Sequence, residues 1–224
     1  MKRLPLTLLL SSISSASLAD VTVSVEKDFF ELGLYASLFD NSYLFVGADT
    51  DDWLGVGVGY RYDVNQRWRL SAYYEYGLYD DWLMHELGID GVKTSSHQLD
   101  LGATRYFTQS AINLGITGEH VRNGFTGLTV DDVDRYSAYV GYSYYFEHVY
   151  LSSKYEHYMA IDKSDMKDFN QGRANVWELS VGSMKSFYKF FPYAKVSIFD
   201  PNGSYYGLTN SDVTFSINGT FSFK

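Results

Sequence analysis

Residues 212–223 read Asp212-Val213-Thr214-Phe215-Ser216-Ile217-Asn218-Gly219-Thr220-Phe221-Ser222-Phe223. Val213, Phe215, Ile217, Gly219, Phe221 and Phe223 alternate with residues that are polar or small. In a strand, successive side chains point to opposite faces, so this segment has one apolar and one polar face. A sheet with one wet face would alternate in the same way. The number and spacing of such segments therefore decide the fold.

Working back from residue 212, comparable segments run roughly 29–38, 42–49, 53–62, 67–78, 97–107, 111–121, 134–146, 148–160, 174–187 and 191–199. Many approach the 9–11 residues of a tilted membrane strand. Trp68, Leu70, Ala72, Tyr74, Tyr76 and Leu78 form one outward register, and Tyr136, Ala138, Val140, Tyr142, Tyr144 and Phe146 another. The links alternate in length. Tight ones fall near Asp63–Gln66, Thr108–Ser110, Glu147–His148 and Tyr188–Phe190, and long polar ones span 79–96, 122–133, 161–173 and 200–210. Short turns on one side and long loops on the other are the pattern of an outer-membrane barrel, whose strand number is even.

Val21, Val23 and Val25 add a further alternating stretch, and the apolar parity flips after Lys27-Asp28 to Phe30, Leu32, Leu34, Ala36 and Leu38. A tight turn there predicts an all-β, antiparallel transmembrane barrel of twelve strands. A bulge in one long first strand would give ten instead.

The N-terminus reads as an export signal. Lys2 and Arg3 precede the apolar Leu4–Leu10, and Ser17-Leu18-Ala19 is a small-x-small cleavage site. The expected division is a signal over 1–19 and a barrel over 20–224. No run of about 18 apolar residues predicts a membrane helix. Aromatics make up 18% of the chain, with 21 Tyr and 15 Phe, yet mean hydropathy is only -0.20. Alternating lipid-facing and lumen-facing positions account for both values. Without Lys2 and Arg3, 16 basic residues face 27 acidic ones, a net of -11, which argues against a nucleic-acid partner. With no Cys, disulfides and thiolate metal sites are excluded.

These features, together with the terminal Phe221-Ser222-Phe223, resemble the bacterial outer-membrane barrel superfamily; Lys224 departs from the usual aromatic terminus. The chain is similar in size to small monomeric porins for acidic oligosaccharides, although no motif specific to them is present. The resemblance implies residence in the outer membrane. It also implies contact with membrane lipid and lipopolysaccharide, and handling by the barrel-insertion machinery.

Aromatic girdles are expected at Tyr106-Phe107, Tyr142–Phe146 and Phe187–Tyr193 on the short-turn side. On the other side Trp53, Tyr79, Trp82 and Trp177 are the candidates. Gly55, Gly57 and Gly59 fall on the inward face, making room for aromatic neighbours or lowering bulk in the lumen.

For chemistry, Glu119-His120 and Glu156-His157 are adjacent in sequence and so point to opposite faces of a strand. No metal-ligand spacing is visible. Asp80, Asp81 and His85, and Ser95-Ser96-His97, match outer-membrane hydrolases only in residue type. The chain is therefore read as a non-enzyme without cofactors.

The inward charges are more informative. Arg61, Arg67, Arg69, Glu75, Asp100, Glu119, Arg135, Lys154, Glu156 and Glu178 are the expected pore-lining residues, with Glu31 and Lys195 on the same register. Arg61, Arg67 and Arg69 would ring the periplasmic end. The acids and the loop residues Asp80, Asp81, Asp131, Asp132, Asp162 and Asp165 would make an acidic outer mouth. Charge rings set ion preference in pores, so the leading expectation is a passive channel for small hydrophilic solutes. Ion pairs filling a closed barrel whose acidic loops bind a partner are the alternative, and a hydrolase the third reading.

Overall fold

The computed structural model describes residues 18–26, 29–50, 53–80, 93–125, 128–162, 172–202, 205 and 209–222. Twelve strands follow in chain order: β1 (Leu18–Glu26), β2 (Phe29–Phe39), β3 (Ser42–Asp49), β4 (Trp53–Asn65), β5 (Trp68–Asp80), β6 (Lys93–Tyr106), β7 (Ser110–Phe125), β8 (Leu128–Tyr145), β9 (Val149–Asp162), β10 (Gly172–Ser183), β11 (Phe190–Pro201) and β12 (Asp212–Ser222). Each pairs antiparallel with its neighbours in sequence, and β1 closes on β12 through Asp20↔Ser222 to Glu26↔Ser216. The fold is the twelve-stranded option. The parity flip after Glu26 marks a turn and not a bulge, because β1 and β2 pair from Glu26↔Phe29 onward.

A closed barrel leaves no unpaired edge, the condition for crossing a bilayer with strands. Its exterior is apolar: Val56, Val58, Leu70, Leu99, Leu101, Leu114, Ile116, Val140, Leu179, Phe215 and Ile217 are all exposed. This is the outer-membrane type of barrel, in which the outward face meets hydrocarbon.

At one end the links are 40–41, 66–67, 107–109, 146–148 and 184–189; at the other are 27–28, 50–52, 81–92, 126–127, 163–171 and 202–211, so the long links share one end, but short ones occur at both. Three expected boundaries change by four residues or more. β6 starts at Lys93 and not at 97. Residues 122–133 are largely ladder, since β7 and β8 pair through Arg122↔Asp132 and on to Phe125↔Leu128. A backbone ladder needs no apolar face where it leaves the lipid, so polarity on both faces imitated a loop. The segment expected to run to residue 187 stops at Ser183. The link that follows uses positive φ at Tyr188 (49°) and Lys189 (67°).

The aromatic girdle also divides by register. Phe107, Tyr142, Phe146, Phe187 and Tyr188 are exposed near the short-turn end, whereas Trp177, expected at the loop side, is exposed midway along β10 (Gly172–Ser183). Trp53 is a correction: it shares the parity of Gly55 and its ring lies against Gly47, Gly55 and Gly77 inside the barrel. Tyr106, Tyr145 and Tyr193 also fall on the inward register. Trp82 lies outside the described residues, as does the side chain of Tyr79.

Candidate functional site: a lumen with one aromatic and one charged wall

On β2–β5 the inward glycines leave hollows that neighbouring rings fill. A Cβ on Gly57 would meet the Tyr73 hydroxyl at 2.5 Å, one on Gly59 would enter the Tyr43 ring, and one on Gly55 the Trp53 ring. The rings form a continuous layer. Tyr43 stacks on Tyr73 with centroids 6.0 Å apart, Phe45 meets Tyr73 edge-on at 6.1 Å, and Tyr35 and Phe45 are 5.0 Å apart. Such offset and edge contacts are the favoured aromatic geometries. The Tyr73 hydroxyl donates to Glu75 at 2.5 Å. The Arg61 guanidinium lies 4.7 Å over the Tyr43 ring, a cation–π contact.

On β6–β11 the lumen is bordered by charges brought together by strand register. Glu178 sits directly across from Lys154, and Glu119 across from Arg135. Lys154 is the centre of this wall. Its Nζ lies 2.5 Å from Glu156, 3.9 Å from Glu178 and 5.0 Å from the centre of the Tyr139 ring. Lys195 reaches Glu178 at 3.4 Å, and Arg135 reaches Glu119 at 3.2 Å. Ser137 donates to Glu156 at 2.5 Å and Thr117 to Asp100 at 2.8 Å. Glu156 is only 5% exposed, so its two partners matter, because an unpaired charge at such a depth is costly.

Among the described residues, cavities lie along this interior. One of about 390 Å³ occupies the middle, bordered by Ser71, Asp100, Asn113, Lys154 and Glu178. A second of about 230 Å³ lies toward the loops and shares Asp100, Tyr139 and Lys154 with the first, adding Glu119, Arg135 and Glu156. A third, about 270 Å³, lies at the short-turn end beside Tyr35, Tyr43, Arg61, Asp63 and Arg69.

Of the ten expected lining residues, Asp100, Glu119, Arg135, Lys154, Glu156 and Glu178 border the first two cavities, and Arg61 and Arg69 border the third. Glu75 faces the interior against Tyr73. Arg67 lies in the 66–67 turn, exposed at the rim, and borders none of the three.

Two contributors were missed. Asp63 holds Arg69 through two hydrogen bonds of 2.7 and 3.1 Å, so the expected basic exit is partly neutralised; its parity with Arg61 was the available signal. Tyr205, from the 202–211 link, is buried with Val133, Ala160 and Ala174 beside Tyr158 and Phe199, and it borders the loop-side cavity. Nothing periodic marks a loop residue for that place. The side chains of Asp80, Asp81, Asp131, Asp132, Asp162 and Asp165, and all of His85, lie outside what is described. Ser96 faces inward and is buried, whereas Ser95 and His97 face outward, so the Ser96-His97 pair is split across the wall. Among the described residues no group of three or more His, Cys, Asp or Glu is arranged to hold a metal ion.

No protein-family model and no curated protein sequence matches the chain. Solved structures do match in fold. The NanC porin is 15% identical over 92% of this chain and 100% of its own, with a TM-score of 0.60. An outer-membrane channel from Pseudomonas putida F1 is 12% identical over 92% and 96%, with a TM-score of 0.66. LpxR from Salmonella typhimurium is 9% identical over 92% and 100%, with a TM-score of 0.57. At these identities the likeness is one of fold, and the fold is that of small outer-membrane β-barrels.

Proposed function

We propose that the chain is a non-enzymatic outer-membrane channel through which small hydrophilic solutes diffuse passively. The observation that carries this reading is the pair of polar-lined cavities along β6–β10 that share Asp100, Tyr139 and Lys154. Twelve strands make a barrel wider than the eight-stranded ones that side chains fill, and narrower than open porins. The aromatic wall takes up one side of that width, and the charged wall borders what is left. Asp100, Glu119, Arg135, Lys154, Glu156 and Glu178 line the path, Glu75 borders it from the aromatic side, and Arg61 and Arg69 line its short-turn exit. Arg67 stands at the rim. Two channels among the structural neighbours, by their descriptions, support the reading without deciding the solute.

Membrane lipid and lipopolysaccharide surround the barrel in this reading, and the barrel-insertion machinery delivers it. Small cations are the favoured solutes. In the middle and upper lumen Glu31, Glu75, Asp100, Glu119, Glu156 and Glu178 outnumber Arg135, Lys154 and Lys195, and such an excess attracts counter-ions.

The test is single-channel recording of the refolded protein in a planar bilayer, with the reversal potential measured in a salt gradient. Discrete steps with a cation-selective potential are expected. Silence from a barrel shown to be folded by heat-modifiable migration would sink the channel reading.

A further inference from the structure

The barrel's outer face changes character along β6–β8. From the short-turn end upward, β7 presents Leu114 and Ile116 to the outside, then Gly118, His120 and Arg122. On β6 the outward series runs Leu101, Leu99, His97, Ser95, and on β8 Tyr142, Val140, Ala138, Tyr136, Asp134. Register sets the polar members side by side: His97 pairs with His120, His120 with Asp134, and Ser95 with Arg122. His120 Nδ1 donates to Asp134 at 2.9 Å, and His97 Nδ1 is hydrogen-bonded to the Tyr74 hydroxyl at 2.7 Å. Tyr136 donates to the other Asp134 oxygen at 3.4 Å. His97 and Arg122 are exposed; Asp132, whose side chain lies outside the described residues, stands directly across the β7–β8 ladder from Arg122.

Depth gives the row its meaning. His120 stands ten positions above Ser110 at the start of β7. At about 3.4 Å per residue and a tilt of about 45°, that is roughly 24 Å, the height of the apolar belt of such barrels. Charge on the lipid face costs about 2–4 kcal/mol at mid-bilayer and about 0–1 at the interface, so the row lies where lipid headgroups begin. There the anion in reach of an exposed guanidinium and two imidazoles is a headgroup phosphate. Arginine's planar fork suits its oxygens, and both ring and guanidinium N–H groups make charge-assisted bonds to it.

We propose that His97, His120 and Arg122 form an exterior site for the phosphate of an outer-leaflet lipid, with Asp134 and Tyr74 orienting the two imidazoles. The proposal rests on the barrel's residence in the outer membrane, and it is independent of whether the lumen conducts.

The test is native mass spectrometry of the refolded full barrel in detergent, titrated with diphosphorylated lipid A and, separately, with phosphatidylcholine, whose phosphate is offset by its own choline. Wild type should retain lipid A at least tenfold more tightly than phosphatidylcholine. The combined change His97→Gln, His120→Gln and Arg122→Gln should remove that preference, with heat-modifiable migration showing that the barrel is folded. Arg122→Gln alone, an exposed change compatible with folding, should weaken lipid A about threefold and decides the matter if the triple variant does not fold. Asp134→Asn keeps an amide oxygen to accept from the His120 ring while removing negative charge, and should leave lipid A binding unchanged or tighter. Lipid A bound equally by wild type and the folded triple variant, or by wild type and Arg122→Gln where the triple does not fold, would overturn the site. A loss on Asp134→Asn as large as that of the triple variant would also overturn it, since the row would then serve the barrel's own packing.

Discussion

On β2–β5 the interior is filled by rings resting on glycines, whereas on β6–β11 it is bordered by charges paired across strands. The two walls have the same backbone and the same alternation, yet they leave different things behind. Rings on glycines close-pack and exclude water, as in the Tyr43–Tyr73–Phe45 layer. Paired charges satisfy one another along the wall and keep polar atoms facing open space, as around Lys154. The first wall supplies packing and sets the width of the lumen. The second supplies the surface a solute would meet.

Breaking the aromatic wall should have the largest effect on stability. Tyr73→Ala removes a ring that contacts Tyr43 and Phe45 and leaves Glu75 without its hydroxyl donor. Aromatic-to-alanine changes in packed sites cost about 3–5 kcal/mol, and a loss near the lower end is expected because the lumen is partly open. Urea unfolding of the reconstituted barrel, followed by Trp fluorescence, reads it. Conductance should rise in the same variant, since the ring faces the barrel interior and takes up part of its width. A lower or unchanged conductance would separate the packing role of this wall from any role in setting width.

The charged wall should answer differently. Lys154→Gln leaves Glu156 and Glu178 without their shared cation. Removing one partner of a fully buried pair costs about 3–5 kcal/mol, but Lys154 is 36% exposed to the lumen, so about 1–2 kcal/mol is expected after solvent screening. Its main signature is electrical: the reversal potential should move toward stronger cation selectivity, whereas Tyr73→Ala should change conductance more than selectivity. If Lys154→Gln shifts stability alone, the charges are a structural filling and not the surface that solutes meet.

Much of this contrast could be read from spacing. Period-two alternation located the strands, the parity of Gly55, Gly57 and Gly59 put them inside, and Lys154 and Glu156 are plainly on one face. Trp53 was equally legible from its parity with Gly55, yet its place near a loop suggested the girdle. Other features needed the register between strands, which single-strand periodicity does not carry. His120 finds its acid in Asp134 across a strand boundary and not in the adjacent Glu119. Arg122 and Asp132 read as loop because a ladder beyond the lipid has no apolar side. Tyr205 was out of reach altogether, since its position depends on a link folding back over Val133, Ala160 and Ala174.

The smallest change sharpens the comparison most, because one methyl group is placed on each wall. At Gly59 a Cβ would enter the Tyr43 ring, and that ring is held between Tyr73 on one side and the Arg61 guanidinium on the other. Because the ring must shift against these neighbours, Gly59→Ala should cost about 1–2 kcal/mol through overpacking. At Gly141, on the charged wall, the nearest atoms to a new Cβ are the Ser153 carbonyl oxygen at 3.5 Å and Asn113 Nδ2 at 3.6 Å, ordinary contacts. Its φ is not in the left-handed region, so Gly141→Ala should be neutral or stabilising by up to about 1 kcal/mol, as alanine restricts the unfolded chain. Paired urea titrations in the same lipid check both. Opposite signs would show that glycine is required where a ring lies over it, as at Gly59, and only tolerated where none does, as at Gly141; Gly115 and Gly182 on the charged wall lie under Tyr139 and Tyr150 and should follow Gly59. Equal losses at Gly59 and Gly141 would mean that curvature of the barrel backbone, and not the rings, dictates glycine on both walls.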